Sequence, residues 1–225
     1  MSITNTLVST TIKGLTHILC RIDASELAQV PAQGPLLLVA NHVNFLDAPV
    51  MYTHLQPRPL TGFVKAETWK NPVMALLFNI WGGIPIKRGE PDMAALDMAL
   101  EALKAGKIVA VAPEGTRSGS GRLKHGYPGI VILALHSGAP LLPVAYYGGE
   151  NFRDNVSRLR RTDFHINVGQ PFTIDPGGQK VTRPVRQAIA DEIMYRIAAL
   201  LPEEYRGEYA ELEKATQKYL KFLAV

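Results

Sequence analysis

His42 and Asp47 lie five positions apart in Asn41-His42-Val43-Asn44-Phe45-Leu46-Asp47, directly after the apolar run Pro35-Leu36-Leu37-Leu38-Val39-Ala40. An imidazole titrates near neutral pH and can take a proton from a hydroxyl. A carboxylate beside it fixes the tautomer and stabilises the imidazolium that forms. Spacing decides whether the two can meet. On one continuous helix, five residues rotate the chain by about 500° and leave the side chains about 140° apart. The pair therefore meets only if His42 occupies a turn ahead of a helix and Asp47, in its first turns, reaches back, with Asn41 and Asn44 as turn and cap residues. The competing reading is a satisfied loop histidine and an acid at a helix start, because the pattern alone is short.

A second constellation follows the apolar run Lys107-Ile108-Val109-Ala110-Val111-Ala112. It is Pro113-Glu114-Gly115-Thr116-Arg117-Ser118-Gly119-Ser120-Gly121-Arg122. Glycines let backbone amides approach an anion and arginines supply forked, charge-assisted bonds, so this mix suits a phosphate. On its own it is also compatible with a polar hairpin or connection. No Walker A or dinucleotide fingerprint occurs, and no Gly-x-Ser-x-Gly elbow, which argues against a nucleotide site and a serine hydrolase. His17, His54, His125, His136 and His165 are scattered without paired spacing, so no metal site is expected.

The elements that must position these residues alternate between short apolar runs and longer helical patterns, the signature of a single α/β domain with a mostly parallel central sheet flanked by helices. Strands are predicted at Leu36–Ala40, Gly62–Lys65, Ile84–Ile86, Ile108–Ala112, Leu141–Tyr147 and Phe164–Val168. Helices are predicted at Asp47–His54, Pro72–Trp81, Asp92–Ala105, Pro128–Ser137 and Arg183–Leu200. Both candidate loops then follow strands, at the sheet end where α/β proteins gather their active sites. Ser2–Arg21 can form an amphipathic helix with Ile3, Leu7, Val8, Ile12, Leu15, Ile18 and Leu19 on one face, which either packs on the domain or lies in a membrane interface. Glu203–Val225 starts acidic and ends basic, an order that complements a helix dipole and predicts a C-terminal helix. The chain is thus read as one domain over 1–225, with a candidate interface helix in 1–30, a core over 36–170 and C-terminal helices over 182–225.

With 225 residues, 47% of them hydrophobic, the chain can bury a substantial core. The lone Cys20 excludes an internal disulfide. The N-terminus lacks the basic patch, apolar core and cleavage site of a secretory signal, so export is not expected. Val73–Ile86 and Gly129–Tyr147 are interrupted and fall short of the ~20 apolar residues of a spanning helix. The net charge is +4, concentrated at Lys87-Arg88, Arg117–Lys124 and Arg153–Arg161. These clusters favour phosphates or anionic lipids. They lack the interleaved aromatics of a nucleic-acid strip, and no nucleic-acid partner is expected.

Taken together, the motifs resemble the glycerolipid acyltransferase family, in particular the 1-acylglycerol-3-phosphate acyltransferases. Four blocks occur in the family's order: Asn41-His42-x-x-x-x-Asp47, Gly83-Ile84-Pro85-Ile86-Lys87-Arg88, Pro113-Glu114-Gly115-Thr116-Arg117-Ser118 and Ala139-Pro140-Leu141-Leu142-Pro143-Val144. Leu123-Lys124-His125-Gly126 is similar to the family's lysine-glycine turn. Family members commonly carry an aromatic at the position of Pro85 and often an acid at that of Lys87, so this chain departs from the pattern where the acceptor is read.

The resemblance implies a glycerol-3-phosphate acyltransferase-like fold and transfer of a fatty acyl group from an acyl-thioester to the free hydroxyl of a lysophospholipid, with 1-acylglycerol-3-phosphate yielding phosphatidic acid. His42 and Asp47 would be catalytic, and Arg88, Glu114, Gly115, Thr116, Arg117 and Lys124 would shape the acceptor site. Backbone amides near Gly115 and Thr116 are candidates for stabilising the carbonyl oxygen. No cofactor is implied beyond acyl-CoA or acyl carrier protein as co-substrate. Such an enzyme would be cytoplasmic and peripheral on the cytoplasmic face of the membrane. Candidate lipid contacts are Ser2–Arg21 and the stretch from Arg58 to Trp81, although Phe78 and Trp81 fit a core better. Alternatives are another lyso-lipid or glycerol-3-phosphate as acceptor, a thioesterase or lysolipid hydrolase, and a non-catalytic binding module.

Overall fold

Every residue of Leu36–Ala40 is buried, because this strand is paired on both sides and covered on both faces. In the computed structural model, which describes residues 3–87, 89 and 91–224, the chain runs α1 (Ile3–Leu19), β1 (Cys20–Asp23), β2 (Leu36–Ala40), α2 (Asp47–His54), β3 (Leu60–Lys65), α3 (Pro72–Trp81), β4 (Ile84–Ile86), α4 (Met93–Lys104) and β5 (Ile108–Val111). It continues through α5 (Gly129–Ser137), β6 (Leu141–Tyr147), α6 (Phe152–Ser157), β7 (Thr162–Val168), β8 (Phe172–Ile174), α7 (Arg183–Ala198) and β9 (Leu220–Phe222).

One sheet has the order β1-β7-β6-β2-β5-β3-β4, with β8 and β9 branching from β6. The five strands from β6 to β4 are mutually parallel. β7 and β8 run antiparallel to β6, and β1 runs parallel to β7. The mostly parallel sheet expected from the alternation is present. Because side chains alternate across a strand, Leu37 and Val39 join the core under α4, α5 and α7, while Leu36, Leu38 and Ala40 join the core under α2 and α3. Asn71 caps α3 through the amides of Val73 and Met74, and Asp92 caps α4 through Ala95, as expected at such helix starts.

Three expectations need correction. The N-terminal helix ends at Leu19, and Cys20 and Arg21 begin an edge strand instead. Its apolar face is split: Ile12 packs on the core, the helix buries Ser9 and Thr16, and Ile3, Leu7, Leu15, Ile18 and Leu19 face outward. Among the described residues, 203–224 form no α-helix but three 3-10 turns and β9. Gly207, at φ 52°, breaks any helix there, and the backbone is committed elsewhere: Leu123 N–H donates to Tyr205 O and Glu208 N–H to Leu123 O. Of the stretch from Arg58 to Trp81, Arg58 is not a lipid contact but binds the carbonyls of Leu27, Val30 and Pro31, while Phe78 and Trp81 are core, as expected.

Candidate active site

Because β2, β5, β3, β4 and β6 are parallel, the segments after them emerge at one end of the sheet. These segments carry His42, Glu114–Arg117 and Lys87. Lys87 is held by its amide, which donates to Asp92 Oδ2 at 2.9 Å. Arg88 lies outside the described residues.

His42 sits in the turn between β2 and α2, and Asp47 is the first residue of α2. The bond that the spacing allowed only in this arrangement is present, with His42 Nδ1 2.6 Å from Asp47 Oδ2. The same oxygen accepts the amides of Val43 at 2.7 Å and Asn44 at 3.0 Å, so the turn closes around the carboxylate. A carboxylate acceptor places the imidazole proton on Nδ1 and leaves Nε2 with a free lone pair. Nε2 meets no partner among the described residues, and the side chain retains 19% exposure. Asp47 is buried, and its Oδ1 has no partner among the described residues. Burial and the Asp47 charge push the phenol of buried Tyr146 well above its ordinary value.

Glu114 is almost fully buried, at 1% exposure. Its Oε1 accepts the His42 amide at 2.8 Å and its Oε2 the Lys124 amide at 3.0 Å. No ion pair joins it to Arg117 among the described residues, and the carboxylate orders the loop through these backbone donors. Burial raises its carboxyl above the ordinary value, and the two amides, then His42 and Lys124, act in the opposite direction. The loop also docks on the His42 turn, Ser118 N–H donating to His42 O and Gly119 N–H to Val43 O. Gly115, at φ 64°, uses its amide on Ala112 O. Its N–H is therefore engaged, whereas the Thr116 amide meets no partner among the described residues. Lys124 Nζ donates to Arg117 O at 3.0 Å.

Sequence reasoning missed several supports. Asn41 is no turn residue: its buried amide accepts from Tyr146 N–H at 2.7 Å and donates to Tyr146 O at 2.8 Å, extending the β2–β6 ladder by one side chain. A polar residue ending a fully buried strand was the available signal. Asn44 does act in the turn, accepting from Leu46 N–H, and it also donates to Gly149 O. The Lys124–Gly126 turn is held from the C-terminal part of the chain: Gly126 N–H donates to Tyr209 Oη, and Gln187 donates to Gly126 O. A Cβ on Gly126 would lie 2.4 Å from Met194 Cγ, so only glycine fits there. Beside this turn, His125, Tyr127, Arg183 and Gln187 line a shallow groove. Cys20 is buried at the sheet edge and its thiol is pushed up by burial. Among the described residues, no cluster of three or more His, Cys, Asp or Glu side chains is placed to hold a metal.

The Acyltransferase family profile matches residues 21–147. A chloroplastic 1-acyl-sn-glycerol-3-phosphate acyltransferase of Brassica napus is 32% identical over 158 residues, 68% of this chain and 45% of that one. A lyso-ornithine lipid O-acyltransferase of Pseudomonas aeruginosa is 33% identical over 162 residues, 64% of this chain and 61% of that one. The chain thus spans about half the length of these curated relatives. The crystal structure of PlsC, the 1-acyl-sn-glycerophosphate acyltransferase of Thermotoga maritima, shares the fold with a TM-score of 0.61, at 21% identity over 87% of this chain and 79% of that one. With the family profile covering the strand, the histidine turn and the glutamate loop together, this chain belongs to the acyltransferase family.

Proposed function

We propose that the protein transfers a fatty acyl group from an acyl-thioester, on coenzyme A or acyl carrier protein, to the free hydroxyl of 1-acylglycerol-3-phosphate, giving phosphatidic acid. The observation that carries this reading is the 2.6 Å bond between His42 and Asp47, which leaves Nε2 as a base at the sheet end where the glutamate loop lies. A glycerol hydroxyl has a pKa far above neutral and needs such a base as it attacks. Nε2 takes the hydroxyl proton while the alkoxide oxygen bonds to the thioester carbon. The carbon–sulfur bond then breaks, and the thiolate leaves with the proton from the imidazolium. The thioester is already activated, so the reaction requires neither a covalent acyl-enzyme nor a resident cofactor. The Thr116 amide is a donor for the developing oxyanion, and Arg88 and Arg117 are cations for the acceptor phosphate.

The lysolipid acceptor and its product are membrane-borne, and the outward apolar residues of α1 suit contact with a lipid interface. No helix among the described residues is long and apolar enough to cross a membrane. The reading is therefore a peripheral enzyme, working on the cytoplasmic face. A second acceptor, a lyso-ornithine lipid, is favoured by the 33% identity to the Pseudomonas aeruginosa protein and by Pro85 and Lys87 in the acceptor motif.

The test supplies purified protein with liposomes, acyl-CoA and acyl carrier protein donors, and both lysolipids, and identifies products by mass. Phosphatidic acid formation that requires the acceptor and is abolished by His42→Ala supports the proposal. Thiol or fatty-acid release without any acceptor would make it a hydrolase instead.

A further inference from the structure

The turn between α6 and β7 carries a residue that neither its backbone nor the core requires. Arg160 N–H donates to Asn155 O at 2.8 Å and Leu159 N–H to Val156 O at 3.0 Å, the bonding of a Schellman motif. Its left-handed position, normally glycine, is Leu159 at φ 54°. A side chain is strained there, and this one is 97% exposed, so it gains no packing in return. Arg158 and Arg160 flank it, exposed and without an ion pair among the described residues.

The turn's location gives the leucine a context. β7 runs antiparallel to β6, with Tyr147 opposite His165, so the turn hangs from the same end of the sheet as His42. β1 pairs with β7 through Cys20 and Thr162, which brings the C-terminal end of α1 to that end as well. Arg161 ties the two together, its Nη2 donating to His17 O and Cys20 O at 2.7 Å each. The outward residues Leu15, Ile18 and Leu19 of α1 end there.

We infer that the Arg158–Arg161 turn is a second lipid anchor, in which Leu159 enters the acyl boundary beside the outer face of α1 while Arg158 and Arg160 hold the phosphates of anionic lipids. An apolar tip between two unpaired guanidiniums matches a negatively charged bilayer in both its chemistries. This inference rests on the lipid-acylating reading for its purpose, but lipid binding is measured without turnover.

The experiment floats the full chain with vesicles of phosphatidylcholine alone or phosphatidylcholine with phosphatidylglycerol, at low and high salt. The unaltered protein is expected to prefer the anionic vesicles and to lose the preference at high salt. Leu159→Gly relieves the strained backbone, so its melting temperature should stay level or rise while partitioning falls about tenfold. Arg158→Glu with Arg160→Glu should abolish the anionic preference, a loss of at least about tenfold. Both variants should acylate a water-soluble short-chain acceptor at the unaltered rate. If that rate is zero in the unaltered chain, the enzymatic reading fails while the flotation result stands. Undiminished flotation of either variant overturns the inference, as does equal binding of the unaltered chain to both vesicles. It is also overturned if the variants lose only binding to acyl carrier protein, an acidic partner.

Discussion

Glu114, on the loop after β5, holds the backbone of His42, on the loop after β2: its Oε1 accepts the His42 N–H at 2.8 Å. The other oxygen holds Lys124, ten residues along its own loop. One buried carboxylate thus fixes the proposed base and closes the arginine-bearing loop. Hydrogen bonds to a charged group contribute about 1.5–3 kcal/mol each. Glu114→Ala should therefore lower stability by about 3 kcal/mol in urea titration and loosen the His42 turn with it.

The charge on Glu114 has its own pH signature. Burial raises its pKa above the ordinary 4.5, so the folded state holds this proton more tightly than the unfolded one. The corresponding stability is complete below the unfolded pKa and is lost as pH rises through the folded value. Glu114→Gln stays neutral throughout. Its melting temperature relative to the unaltered protein should climb as pH rises above about 4.5, then level off. A difference that falls with pH would contradict the burial argument.

Asp47→Asn is a test of the tautomer. The amide can donate to His42 Nδ1, which would move the proton to Nε2 and remove the base. An amide nitrogen in the place of Oδ2 forfeits the two turn bonds from Val43 and Asn44, so the turn should loosen locally while the helices and the sheet survive. Turnover should drop about 10³–10⁴-fold with little change in far-ultraviolet circular dichroism. His42→Ala should cost about as much, and combining the two should add little, since groups acting as one unit are not additive. A double variant that multiplies the two losses would show that the residues act separately.

Much of this arrangement was legible because it rests on long buried runs and helix punctuation. Leu36–Ala40, Ile84–Ile86, Asp47–His54 and Pro72–Trp81 have the ends that the sequence predicted. What stayed hidden depends on partners distant in sequence. β8 and β9 are three residues each and exist through pairing between residues distant in the chain, such as Thr173 with Lys221, 48 positions apart. α1 inverts ordinary patterning by burying Ser9, whose hydroxyl meets Trp81 Nε1. The support that Glu114 gives was hidden for the same reason, since its partners are the backbone amides of His42 and Lys124.

Gly126 gives a packing prediction. A methyl group there would meet Met194 Cγ at 2.4 Å, and Met194 is fully buried in the core under α7. Gly126→Ala should cost about 1–3 kcal/mol as overpacking, and Met194→Ala about 2–5 kcal/mol as a cavity. Placed together, the new methyl occupies part of the space that the methionine vacates. The double variant should therefore be more stable than the sum of the singles by about 1 kcal/mol or more, measured by chemical denaturation. Strict additivity would mean that the turn relaxes away from α7.

His54 supplies a pH slope opposite to that of Glu114. It lies at the end of α2, and its Nδ1 is 2.9 Å from Val50 O. A carbonyl can only accept, so Nδ1 carries the proton and Nε2 accepts from His17 of α1 at 3.1 Å. Burial is the main reason that its pKa falls from 6.5 to about 4, with Lys13 and His17 lowering it further and Val50 opposing. For a base with a depressed pKa, the stability is present above 6.5 and is lost as pH falls toward 4, because the unfolded chain takes up the proton first. Acidification should thus weaken the seat of α1 on α2. His54→Gln, which does not titrate, should flatten the decline in melting temperature between pH 6.5 and 4 without altering the slope that Glu114 imposes as pH rises. If His54→Gln declines as steeply as the unaltered protein, the acid sensitivity of this helix pair resides in another group.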